Sequence, residues 1–151
     1  MNTSIEEQLR EHGVVVSTTA GVSMWPMLRN RRDRVVLTAA GEKQLEKFDL
    51  PLYRLPDGKY VLHRIIGVRE DCYIIRGDNT YRKEYVPKDW VLGYVTEFYR
   101  GGKHVDASSK GYRFYVSVWN KLYFLRCPAH AVWSFFRRIG RRLFSKKQTE
   151  G

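Results

Sequence analysis

Up to Gly102 the apolar residues come in short groups separated by turn-forming residues; further on they recur at the spacing of a helix. Ser4-Ile5-Glu6-Glu7 is a capping box, serine at the N-cap and glutamate three residues on. It predicts a short helix from Ile5 to His12 that Gly13 ends. The β-branched run Val14 to Thr19 predicts a strand. Ala20 to Pro26 is a turn segment leading into Met27-Leu28, and Asp33 precedes a second strand, Arg34 to Thr38. Residues 39–50 are polar and irregular, a loop or short helix. Leu52 to Leu55 is a strand, and Pro56-Asp57-Gly58 is a strong turn signal. Lys59 to Arg69 reads as one long strand, joined through Glu70-Asp71 to another, Tyr73 to Arg76. Gly77-Asp78-Asn79 is a turn, and Trp90 to Tyr99 is the last strand, ended by Gly101-Gly102. Many short strands, regular turns and few helices predict a mainly β fold, a compact β body.

The remainder reads differently. Tyr112 to Leu125 is a helix that stops before Pro128. From Ala129 to Phe144 Val132, Phe136, Ile139 and Leu143 fall on one stripe, widened by Trp133, Phe135 and Phe144. Arg137, Arg138, Arg141 and Arg142 take the opposite face. The pattern predicts a C-terminal amphipathic helical tail, so the chain divides into residues 1–109 and residues 110–151.

Charge supports that division. The chain has 151 residues and a net charge of +11, a figure that first suggests nucleic acid or an anionic membrane. Residues 1–109 hold 17 basic and 15 acidic side chains, whereas residues 110–151 hold 10 basic and 1 acidic. The body is nearly neutral and the tail carries the excess, with an aromatic stripe behind it. Such a helix suits an anionic membrane surface, contacted through residues 129–147; docking on its own domain is the plainer alternative. Nucleic-acid binding rests on charge alone and is not expected. No apolar run approaches the length of a spanning helix, and the N-terminus lacks the basic and apolar regions of a signal peptide. The expected location is cytoplasmic or peripheral at a membrane surface. Cys72 and Cys127 fit no metal spacing and read as small apolar residues or free thiols. The four histidines are scattered, so no local metal site and no cofactor is expected.

Three segments carry candidate chemistry. In Gly21-Val22-Ser23-Met24-Trp25-Pro26, a serine follows a glycine turn that can expose its Oγ and align nearby backbone N–H groups as an oxyanion hole. Serine needs a base, and His63 shares a strand face with Val61 and Ile65, where a neutral imidazole can serve. Asp78, in the Gly77-Asp78-Asn79 turn, can orient an imidazole or simply cap the turn. Taken one at a time, each residue is more often structural than catalytic.

Together and in this order they resemble the type I signal peptidases, whose clan includes the self-cleaving SOS repressors. The resemblance rests on Ser23-Met24-Trp25-Pro26, His63-Arg64-Ile65, Gly77-Asp78-Asn79 and Val91-Leu92-Gly93-Tyr94-Val95, and spans residues 14–98. Histidine in the second box is similar to the endoplasmic-reticulum and archaeal branch, where most bacterial members carry lysine. The resemblance implies a signal-peptidase-like β body, Ser23 as nucleophile and His63 as general base. It also implies an oxyanion hole from the N–H of Ser23 with a neighbour in Gly21-Val22, and a groove shaped by Met24 and Pro26. The orienting acid is Asp78 or Glu84; without either, a Ser-His dyad remains. Just before the serine box, where the family usually places a transmembrane helix, this sequence has a short capped polar helix, and the tail after residue 110 is not the family's usual ending.

The expected function is therefore a serine endopeptidase of signal-peptidase type, cleaving a signal or leader peptide of a peptide or preprotein after small residues. The alternative is an inactive peptidase-fold module that binds peptide or a membrane surface. Self-cleavage is set aside, because no helix-turn-helix domain fits before the first strand.

Overall fold

The structure, a computed structural model, describes residues 4–123. Helix α1, Ile5–His12, begins where Ser4 Oγ accepts a hydrogen bond from the N–H of Glu7 at 3.1 Å. It ends at Gly13, whose φ of 72° lies in the left-handed region. Leu9 is the buried anchor of its inner face.

Among the described residues nine strands form two sheets. They are β1 (Val14–Thr18), β2 (Arg34–Ala39), β3 (Pro51–Arg54), β4 (Tyr60–Leu62), β5 (Arg64–Val68), β6 (Cys72–Arg76), β7 (Glu84–Pro87), β8 (Val91–Arg100) and β9 (Lys103–Asp106). The larger, curled half-barrel sheet runs β1-β2-β8-β3-β4, with β9 hairpinned onto β8; the smaller runs β5-β6-β7. All the pairings are antiparallel. The mainly β expectation holds.

Strand alternation sends neighbouring residues to different cores. Leu52 and Tyr53 are adjacent on β3, so they point to opposite faces. Leu52 joins a core with Leu9, Met24, Leu28, Leu37 and Phe98, while Tyr53 joins a second core with Ile65, Tyr73, Ile75 and Val86. The first core also receives Tyr112 and Val116, one helical turn apart on α2, Lys110–Lys121.

Three expectations need correction. The long strand Lys59 to Arg69 is two strands broken at His63. Leu62 still pairs with Leu52, but from Arg64 on the chain pairs with β6, and the N–H of Ile65 donates to Asp49 O at 2.9 Å. The backbone changes partners at His63, and the chain passes from one sheet to the other. Gly101-Gly102 does not end the β structure but turns it into β9, both glycines having positive φ. Strand β7 was missed because its short, charged and proline-ended sequence carries little apolar alternation.

The chain divides into two compact units, residues 1–116 and residues 117–151. The amphipathic stretch 129–144 and the proposed membrane contact at 129–147 lie outside the described residues, as does Cys127. Cys72 is a free thiol. Among the described residues no helix is long and apolar enough to cross a membrane.

Candidate functional site

Ser23 sits in the loop between β1 and β2, and buried contacts pin that loop at both ends. At its base Asp33, fully buried, accepts from the backbone N–H of Arg29 at 2.7 Å, from its guanidinium at 2.8 Å and from the N–H of Gly101 at 3.3 Å. At its apex Met24, Met27 and Leu28 enter the first core. Between them Gly21 has φ +92°, which favours glycine, and a cis bond joins Trp25 to Pro26.

The Gly77-Asp78-Asn79 turn is the other wall that positions Ser23. The N–H of Asn79 donates to Ser23 O at 2.7 Å, and its side-chain amide donates to Val22 O at 3.2 Å. A Cβ on Gly77 would lie 2.8 Å from Ser23 O and 3.1 Å from Ser23 Cβ. Glycine is required there because the turn rests directly on the serine backbone.

Ser23 and His63 line one cavity of about 410 Å³. One wall is Ser17, Thr18, Thr19 and Gly21 at the end of β1; the facing wall is Tyr60 to His63, β4 and its exit. Leu28, Val35, Leu37 and Leu52 form its apolar floor, with Met24 and Ile5 of α1 also against it. β1 and β4 terminate the sheet path, so the cavity opens between two strand edges. Of the four residues expected to form the oxyanion hole and substrate groove, Gly21 and Met24 line it, whereas Val22 projects into solvent and Pro26 is half-buried away from the lining. The side chains of Ser23 and His63 share the cavity without a hydrogen bond between them.

The N–H groups around Ser23 divide the predicted oxyanion set. That of Gly21 donates to Asn30 Oδ1 at 2.9 Å and is already engaged. Those of Val22 and Ser23 make no hydrogen bond among the described residues.

The two candidate acids have different surroundings. Asp78 is buried, and both its carboxylate oxygens accept from Arg64, from Nε and from Nη2, each at 2.7 Å. Arg64 is fully buried, and it also donates to Phe48 O at 3.0 Å, to Tyr112 Oη at 3.1 Å and to Met27 Sδ at 2.8 Å. This arginine links β5 to the Ser23 loop, to the loop ahead of β3 and to α2, with Asp78 as its counter-charge. Glu84, at the start of β7, is the acid that reaches the imidazole: its Oε1 is 3.5 Å from His63 Nδ1.

Tyr53, which carried no candidate role in the sequence, stands between them. Its hydroxyl donates to Glu84 Oε2 at 2.5 Å and lies 3.3 Å from His63 Nδ1. Hairpin register accounts for the contact. Tyr53 pairs with Val61, which places Tyr53 and His63 diagonally on one face. Their rings meet edge-on, with centroids 6.4 Å apart. The Pro56-Asp57-Gly58 turn was the available signal, since fixing its register would have paired these residues.

Burial pushes His63 below the usual histidine value, and the negative charges of Glu84 and Asp78 partly oppose that shift. Burial and the neighbouring Glu84 carboxylate push the Tyr53 phenol upward, keeping it protonated. The site therefore combines a serine in a rigid loop, a neutral imidazole with its Nδ1 side occupied, and unengaged backbone N–H groups. Among the described residues no cluster of histidine, cysteine or carboxylate side chains is grouped to hold a metal ion. No protein-family model matches the chain, and no curated protein matches it.

Proposed function

We propose that the protein is a serine endopeptidase of signal-peptidase type that cleaves a signal or leader peptide by acyl-enzyme chemistry. The observation that carries this reading is the shared cavity: a serine and a histidine from separate sequence boxes face one cleft, and an acid backs the histidine. The substrate adds as an extended strand along the β1 and β4 edges, where unpaired backbone groups can hold it. Ser23 Oγ attacks the scissile carbonyl while His63 takes the hydroxyl proton. The N–H groups of Ser23 and Val22 hold the oxyanion. As the intermediate collapses, the C–N bond breaks and His63 gives its proton to the leaving amine. Water, deprotonated by the same imidazole, then hydrolyses the ester and restores Ser23. Glu84 orients the ring, with Asp78 assigned to the fold. Selection of small residues ahead of the scissile bond follows from the family resemblance, and residues 129–147 bring the enzyme to an anionic membrane surface.

The second reading, a peptide-binding module without catalysis, draws on the missing Ser23–His63 hydrogen bond. Resting sites often tighten only around substrate, so that gap does not decide between the two. Incubating the wild type, Ser23→Ala and His63→Ala with a library of small-residue peptides, read by mass spectrometry, separates them. Cleavage that falls by about 10⁴-fold or more in both variants is expected. Equal cleavage by Ser23→Ala overturns the peptidase reading, and peptide capture by the wild type without cleavage favours the binding module.

A further inference from the structure

The hydrogen-bond directions around His63 lead beyond that reading. Tyr53 has one hydroxyl proton, and at 2.5 Å it goes to the Glu84 carboxylate, the stronger acceptor. Toward His63 the phenol oxygen can then only accept. The other group facing Nδ1, Glu84 Oε1 at 3.5 Å, is a carboxylate and also only accepts. Two acceptors around one ring nitrogen require that nitrogen to carry the proton. His63 is thus the Nδ1–H tautomer, with its lone pair on Nε2, the form a general base needs.

Of the two acceptors Tyr53 has the firmer hold. It is fully buried on β3, inside the second core, whereas the Glu84 side chain is 32% exposed at a strand end. The phenol is nearer Nδ1 than the carboxylate is, at 3.3 Å against 3.5 Å. We propose that Tyr53 is a positioning residue that transmits the hold of Glu84 to His63 and fixes the ring with its proton on Nδ1. Its part in catalysis rests on the peptidase reading; its control of the tautomer does not. The groups that face the ring are Tyr53 from β3, Glu84 from β7 and, at longer range, Asp78 after β6, whose charge Arg64 of β5 matches.

The test uses the full chain with ¹⁵N-labelled histidine, and long-range ¹H–¹⁵N spectra taken above the His63 titration. The wild type is expected to show Nδ1 protonated and Nε2 bare; an Nε2–H form overturns the proposal. In Tyr53→Phe, which keeps the ring and its packing, the Nδ1–H population is expected to fall, and an unchanged population overturns the proposal. Should that variant not fold, 3-fluorotyrosine in place of tyrosine makes the phenol a weaker acceptor, and the Nδ1 resonance must move; an unmoved resonance overturns the proposal. Where the wild type cleaves peptide, Tyr53→Phe is expected to lower kcat by roughly 10–100-fold with KM unchanged, the scale of losing a partner that orients a reactive ring. An unchanged kcat removes Tyr53 from catalysis. A wild type that cleaves nothing but shows the tautomer change refutes the peptidase reading and leaves this inference standing.

Discussion

Replacing Asp78 by asparagine separates a structural acid from an orienting one. The substitution keeps the size of the side chain and removes the charge that balances Arg64, which has no access to water. Arg64 keeps Phe48 O, Tyr112 Oη and Met27 Sδ as neutral partners, but loses a pair of charge-assisted bonds of 2.7 Å each. Breaking a buried pair by neutralising one partner costs about 3–5 kcal/mol. At about 4 °C per kcal/mol for a body of this size, the midpoint falls by roughly 12–20 °C. Glu84→Gln is the matched control. Neutralising this partly exposed carboxylate strands no buried ion, and glutamine keeps an oxygen to accept from the Tyr53 hydroxyl, so the midpoint falls much less than in Asp78→Asn while cleavage falls. Thermal melts and urea titrations followed by tryptophan fluorescence measure the first effect, and peptide cleavage at a temperature where both variants are folded measures the second. The assignment is refuted if Asp78→Asn melts with the wild type yet abolishes cleavage, for then Asp78 is the acid that serves His63.

Four further outcomes are expected. The acid limb of the cleavage profile has its midpoint below the usual histidine value of 6.5, because burial disfavours the imidazolium, and Glu84→Gln moves it lower still by removing an opposing charge; a limb above 6.5 contradicts this. The same depression has a stability consequence: below pH 6.5 the unfolded chain takes up this proton before the folded one, so the His63 contribution makes stability fall as the pH drops, and His63→Gln flattens that slope. Gly77→Ala sets a methyl 2.8 Å from Ser23 O, a backbone atom that cannot easily move away, costs about 1–3 kcal/mol and displaces the serine; wild-type stability and cleavage together would show that the turn does not hold Ser23. Deleting residues 128–151 is expected to abolish sedimentation with anionic vesicles and leave it unchanged with neutral ones, whereas undiminished binding to anionic vesicles excludes the tail as the anchor.

Local rules carried much of the outline. Ser4 and Glu7 cap α1 as their spacing requires, and Gly13 stops it. β1, β2, β6 and β8 lie close to their predicted ranges, because each is a short β-branched or aromatic run bounded by turn residues. Ser23 and His63 were legible as a pair only through the order of their boxes, and the fold lines one cavity with both. The choice between Asp78 and Glu84 was not legible. Both are acids in polar turns, and what distinguishes them is Arg64, whose neighbours come from the Ser23 loop, the loop before β3, the turn after β6 and α2.

Sequence by itself determined the mainly β character of the body, the helix cap, the tight turns and the separation of a nearly neutral body from a basic tail. These depend on backbone dihedrals and on composition within a few residues of one another. Tertiary structure decided what happens at His63. Strand pairing changes there from β3 to β6, Tyr53 reaches the ring across a hairpin, and Glu84 arrives from a strand whose own sequence barely signals it. Register and sheet-switching are long-range properties: a strand's period states which residues share a face, and only its partners determine what that face meets.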